Sequence, residues 1–256
     1  MSAATAPKLL PAESEPSRLG AMSFLEHLEE FRKRLIRSVW ALVVGMVVTF
    51  AFIVPAGQFV LAPARRGLPP GVVLIYMQPT EAFSFYMQVA LIGGALLASP
   101  FMLYQVWRFI APALYANEKR FVVPFVLLGT AGAVGGFSFG HFIMFPYMLA
   151  FFGTFNNASL AFMPTLQSVF GLYQKTVLAM ALTFQIPTVA FFLARMRMVT
   201  ARFLWRHFKY AILLTFIASA ILTPSADPYN QTLFALPMIG LYLFSIGIAW
   251  VAHPRG

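Results

Sequence analysis

The residues best equipped for chemistry lie in one run near the start of the chain, Ser23-Phe-Leu-Glu-His-Leu-Glu-Glu-Phe-Arg-Lys-Arg-Leu35. Glu29 has Arg32 and Lys33 three and four residues on, and Glu30 has Arg34 four residues on. On a helix such pairs satisfy one another for about 0.2–0.5 kcal/mol each. Spacing alone does not say which glutamate is left for a ligand. Another carboxylate, Glu118, stands between Asn117 and Lys119 ahead of a long apolar run. A helix dipole by itself would explain an acid there. Placed on one rim, Glu30 and Glu118 would receive two guanidinium groups, because arginine–carboxylate pairing is strong and directional.

Catalytic and metal chemistry find little support. There is no Gly-Lys pair for a phosphate-cradling loop, and none of the 4 histidines is followed by glutamate, as the zinc-protease helix requires. Asp227 is the sole aspartate, which excludes a two-aspartate dyad. The chain has 0 cysteines, hence no thiol nucleophile, disulfide or thiolate metal site. His27 has no second ligand at a useful spacing and suits a surface or capping role. One match needs testing: Gly136-Phe-Ser-Phe-Gly140, with His141 three residues after Ser138. A nucleophilic serine in that motif needs a strained strand-to-helix turn. Here it falls inside an apolar run whose glycines also explain helix packing. We expect no catalytic residues, no metal and no cofactor.

The elements that must position the charged run are membrane spans. The chain is 60% hydrophobic and only 10% charged, against about 25% charged in soluble domains. Several apolar runs reach the roughly 20 residues that cross a bilayer. The fold class expected is all-α, a polytopic membrane protein of six helices. Residues 1–22, with Pro7, Pro11 and Pro16 and no apolar core, suit a disordered cytoplasmic tail rather than a signal peptide. The membrane domain covers 23–252, with spans at about 35–54, 83–110, 121–152, 169–194, 210–222 and 233–251. Ser23 and Glu26 form a capping box that starts the first helix, and Phe24, Leu28, Phe31 and Leu35 give it one apolar stripe. The segment from Pro55 to about Thr80 is a Pro- and Gly-rich loop carrying Arg65 and Arg66.

Gly132, Gly136 and Gly140 recur at four-residue spacing, a face for close helix contact. The fifth span is short: 13 residues at 1.5 Å each reach only about 20 Å, against a core of about 30 Å. A thinned bilayer beside the last two spans would accommodate it. Polar groups inside spans are costly and often functional; here they are Gln88, Gln105, His141, Lys175 and Gln185. Gln185 precedes Ile186-Pro187, where proline frees a carbonyl for a local hydrogen bond. Of 18 basic residues, only Arg65, Arg66 and Lys175 fall on the side away from the termini. That bias places both termini in the cytoplasm. It also explains the +10 charge without nucleic acid, since no basic patch is interleaved with stacking aromatics outside the spans.

These residues carry a family resemblance. His27-Leu-Glu-Glu-Phe-Arg-Lys-Arg-Leu35 resembles the His-Leu-x-Glu-Leu-Arg-x-Arg-Leu opening of TatC, the multi-spanning core of the twin-arginine protein translocase. Ser99-Pro100 through Tyr104-Gln-Val-Trp-Arg-Phe109 to Asn117-Glu118-Lys119-Arg120 is similar to that family's second span and first cytoplasmic loop. Phe145-Pro146 matches its third span. Leu222-Thr-Pro224, Asp227, Asn230-Gln231-Thr232 and Pro237-Met238 match its last outer turn and sixth span. Phe31 replaces a usual Leu, and Gln185 stands where Glu is frequent, which keeps a hydrogen bond but not ionisation.

The resemblance, which covers roughly residues 23–252, implies a glove-shaped six-span receptor in the bacterial inner membrane, with both ends cytoplasmic. It implies binding of twin-arginine signal peptides of folded cargo, recruitment of single-span TatA- and TatB-type partners, self-association, and export driven by the proton-motive force. It implies Glu30 and Glu118 as the arginine receivers, with Arg32, Phe109, Lys119 and Arg120 shaping that site. Pro63, Asp227 and Gln231 match outer-loop positions, and Gln185 a partner-docking position. Two readings from other classes stand beside it. A proton-coupled small-solute transporter would need deep ionisable groups and usually repeats; an intramembrane serine hydrolase would need Ser138 and His141.

Overall fold

The computed structural model describes residues 24–69, 71–110, 122–157, 159, 161–223 and 227–252. The expected tail 1–22, the loop residues Glu118, Lys119 and Arg120, and Pro224 to Ala226 lie outside the described residues. Among the described residues ten α-helices follow one another: α1 Phe24–Ala51, α2 Ile53–Gly67, α3 Pro79–Ile110, α4 Val122–Phe139, α5 Phe145–Gly153, α6 Leu166–Thr183, α7 Ile186–Arg195, α8 Ala201–Arg206, α9 Phe208–Leu222 and α10 Pro228–Ala252. A five-residue π-turn, Gly140–Met144, joins α4 to α5. Among the described residues the one strand-like feature is an isolated bridge between Ile75 and Thr165.

Five helical runs are long and apolar enough to cross a bilayer, Leu25–Ala51, Pro79–Ile110, Val122–Gly153, Leu166–Arg195 and Pro228–Val251, and Phe208–Leu222 is a shorter sixth. This is an all-α, six-span membrane fold. Its apolar exterior follows from the solvent: Trp40, Phe83, Leu182, Ile221 and Trp250 are all more than 60% exposed, as lipid-facing side chains are. At 28 residues, α1 is about 42 Å long. It therefore overshoots a core of about 30 Å, and its first turns, which hold the charges, stand beyond the hydrocarbon.

The charged turn is set by a close crossing of α1 on α3. A Cβ added to Gly45 would lie 2.5 Å from the carbonyl oxygen of Gly94, so neither helix tolerates a side chain there. The expected glycine face recurs on the third span. A Cβ on Gly136 would collide with the Met180 carbonyl oxygen, Gly132 meets the Phe184 carbonyl, and Gly140 meets Val177. Small residues thus bring the third and fourth spans into backbone contact, the way helices associate where lipid gives no hydrophobic drive.

Two features depart from the sequence reading. The segment after span 1 is helical rather than an irregular loop. Pro55 falls in the first turn of α2, where proline costs little, and Pro63 is buried inside the helix. The α2 face bearing Val60 and Ala64 packs into the core with Phe85, Phe145 and Tyr173; that burial outweighs the breaker signal. The second departure is that α3 starts at Pro79, which brings Glu81 into its first turn. At the other side of the bundle, α9 has 15 residues, about 22 Å, still short of the bilayer core.

Two outcomes check these arguments. Gly136→Leu should push the third and fourth spans apart and lower stability by about 1–3 kcal/mol or more, read as a drop in thermal midpoint in detergent; an unchanged midpoint would contradict the close crossing. Lipid around α9 and α10 should be thinner than elsewhere in an electron-microscopy map of the protein in nanodiscs, and uniform thickness would refute the accommodation.

Candidate functional site

The first turns of α1 carry the candidate site. Glu29 pairs with Lys33 at 2.7 Å, with both side chains more than 60% exposed; such a pair is worth little. Glu30 is different. Its Oε1 accepts from Arg34 through Nε at 3.0 Å and through Nη2, and the two side chains are only 17% and 12% exposed. Glu30 Oε2 and Arg34 Nη1 are buried with no hydrogen-bond partner. A carboxylate has two oxygens to satisfy, and one here is unsatisfied. Spacing left the choice between the glutamates open; burial separates them.

Aromatic packing fixes this turn against α3. The His27 ring stacks on Phe109 with centroids 4.5 Å apart, and Phe31 meets the same ring edge-on at 5.5 Å. His27 therefore has a stacking partner in place of a ligand. Of the expected apolar stripe, Phe31 touches α3 through Phe109, and both it and Leu28 remain exposed. Two residues back from Phe109, Trp107 is fully buried, with Phe192 at 4.4 Å and Phe125 at 5.2 Å. This cluster ties the end of α3 that carries Phe109 to α4 and α7. Arg32 is exposed beside it. Glu118, Lys119 and Arg120 follow Phe109 in the chain but lie outside the described residues, so of the expected set the structure places Phe109 against the α1 turn that carries Glu30, through His27 and Phe31, with Arg32 exposed on that turn.

The remaining predicted positions sit elsewhere. Gln185 lies at the break between α6 and α7, and its Nε2 donates to the Gly129 carbonyl at 3.0 Å on α4 and to the Ala181 carbonyl at 3.4 Å on its own helix. A local bond is present, but it goes to Ala181 rather than to the Thr183 carbonyl that Pro187 frees, and it is joined by a cross-helix bond that spacing did not suggest. Asp227 caps α10: Oδ1 accepts from the Asn230 backbone N–H at 2.7 Å and Oδ2 from Asn230 Nδ2 at 2.9 Å. Gln231 Nε2 donates to the Phe216 carbonyl at 3.1 Å and ties α10 to α9. Pro63 is buried in α2. These four do not gather at Glu30.

The serine-hydrolase alternative loses its geometry. Ser138 lies within α4, not at a strand-to-helix turn, and His141 is held otherwise: its Nδ1 is 3.0 Å from the Tyr173 hydroxyl, and Phe59 stacks on its ring at 4.2 Å. Among the described residues no group of three His, Asp or Glu side chains could hold a metal. The sequence reading missed Glu81, which is buried; Pro79 at the first position of a helix with an acid in the same turn was the available signal.

The arrangement can hold a cation. One oxygen of Glu30 is occupied by an arginine of its own helix, and the other is buried without a hydrogen-bond partner. Residues 26–237 match the family model for TatC, the Sec-independent protein translocase protein. A Sec-independent protein translocase protein TatC from Koribacter versatilis is 39% identical over 240 residues, which is 93% of this chain and 88% of that protein. The Helicobacter pylori J99 protein of the same description is 33% identical, covering 89% of each chain. A crystal structure of the twin-arginine translocase receptor TatC superposes with a TM-score of 0.76 at 34% identity, covering 89% of this chain and 99% of that one.

Gln185→Leu should leave the Gly129 and Ala181 carbonyls without their side-chain donor and cost about 1–3 kcal/mol. Thermal unfolding in detergent reads this; a midpoint unchanged from wild type would show that the cross-helix bond carries no stability.

Proposed function

Because the chain belongs to the TatC family and is a multi-spanning component of the Sec-independent protein translocase, we propose that it is the receptor for twin-arginine signal peptides. Glu30 and Glu118 receive the two guanidinium groups. The observation that supports this most is the half-buried Glu30 with one unpartnered oxygen. A guanidinium arriving at that oxygen makes a charge-assisted bond in a partly dehydrated place, where such bonds are strongest. Arg34 keeps the empty site neutral, so the carboxylate is not left bare before the peptide comes. Phe109, held by His27 and Phe31, fixes the depth at which the peptide stops, and Arg32, Lys119 and Arg120 line the approach.

Both termini lie in the cytoplasm, following the bias of basic residues, and the membrane is the bacterial inner membrane. After the arginine pair is seated, the apolar part of the signal peptide enters the concave side of the bundle. Single-span partners of the TatA and TatB type then dock, with Gln185 offering a polar contact in the membrane and Asp227, Gln231 and Pro63 shaping the outer end. Copies of the receptor associate, and the proton-motive force drives passage of the folded cargo.

Glu30→Gln and Glu118→Gln should each weaken binding of a twin-arginine peptide by about tenfold or more, the size of a lost charged hydrogen bond, with the fold intact by thermal midpoint. Photo-crosslinking of a labelled signal peptide to detergent-solubilised receptor measures it. Undiminished crosslinking to the double variant would sink the assignment.

A further inference from the structure

The end of the bundle remote from the charged turn holds a second carboxylate that the receptor reading does not use. Glu81 is 8% exposed. Its Oε1 accepts the Met77 and Gln78 backbone N–H groups, both at 3.2 Å, and so caps the start of α3. Its Oε2 is buried with no hydrogen-bond partner. It lines a cavity of about 340 Å³ between the first turns of α3 and α6, whose other polar walls are Gln78, Thr80, Ser84, Gln88 and Gln167. A buried carboxylate oxygen without a partner calls for a donor, and a cationic donor meets its charge as well.

Leu166 separates this hollow from another. The neighbouring cavity, about 440 Å³, has Leu166 as a shared wall and carries Arg65 and Tyr76 among apolar side chains such as Leu61 and Val72. The partition is fixed, because the Leu166 backbone N–H donates to the Ile75 carbonyl at 2.7 Å. Arg65 is exposed and has no ion-pair partner among the described residues. An anion receiver and a cation receiver thus stand on the two sides of one leucine, by the first turns of α3 and α6, which begin two of the apolar runs long enough to cross a bilayer.

We infer that these paired cavities hold the head group of a zwitterionic phospholipid bearing a primary ammonium. The ammonium donates to Glu81 Oε2 and the polar walls around it; the phosphate takes Arg65 and the Tyr76 hydroxyl; the apolar walls beside Arg65 meet the start of the acyl chains. Choline does not fit, because a quaternary ammonium has no N–H to give the carboxylate. A glycerol head group leaves a net anionic lipid against Glu81.

The test is lipid retention by native mass spectrometry, on full-length protein taken from nanodiscs of equal phosphatidylethanolamine, phosphatidylcholine and phosphatidylglycerol. Wild type should retain phosphatidylethanolamine about tenfold over phosphatidylcholine, the size of a charged hydrogen bond. Glu81→Gln, which keeps an acceptor for the Met77 and Gln78 amides, should bring that ratio to about one. Ser84→Leu, which fills the hollow without touching the cap, should do the same, and Arg65→Gln should lower retention of all three lipids. Equal retention of the ethanolamine and choline lipids by wild type, or an unchanged ratio in both Glu81→Gln and Ser84→Leu, overturns the inference. So does Glu81-dependent binding of n-propylammonium without a lipid preference, which would give the hollow to a basic side chain.

Discussion

A backbone carbonyl facing hydrocarbon has nothing to bond, and this constraint governs each irregularity of the bundle. Where the fourth span breaks, Gln185 supplies its amide to the carbonyl of Ala181 and, across the gap, to Gly129. Where the sixth span begins, Asp227 caps the first turn of its helix. Hydroxyls inside the spans, Thr176, Thr183 and Ser245, return their protons to the carbonyl four residues back. At these places a side chain meets a backbone group that the regular helix does not. The charged turn of α1 escapes the constraint by length, because α1 outruns the bilayer.

The spans and the glycine face were legible because they depend on one-dimensional quantities: the length of an apolar run and the spacing of small residues. The α2 helix was not. Pro55 and Pro63 read as breakers, yet one occupies a first turn and the other sits within a helix that has a core to bury against. Glu81 was missed for a related reason. A span drawn from hydropathy starts at Phe83, whereas the helix starts at Pro79, and those four residues decide whether the acid lies in a loop or in a wall.

At the candidate site, the residue types and the i+4 partners were plain, but their ranking was not. Glu29 and Glu30 are neighbours with equivalent basic partners. What separates them is burial, set by which side of α1 meets Phe109. That contact is between residues far apart in the chain, and no pattern within α1 reveals it. The same holds for His27, whose stacking partner lies at the far end of α3, and for His141, whose Tyr173 hydroxyl comes from another span.

The π-turn at Gly140–Met144 holds one residue more than an α-helical turn would over the same rise. Each α-helical residue turns the chain by about 100°, so this surplus residue sets the azimuth of everything after it in the span. Phe145, Met148 and Leu149 face the core because of that offset. Excising a single residue from the bulge would yield a more regular helix that aims this trio away from its present neighbours, toward lipid. The irregular turn is thus the register mark that lets one span serve two differently oriented contact surfaces, one against α6 and one against α2.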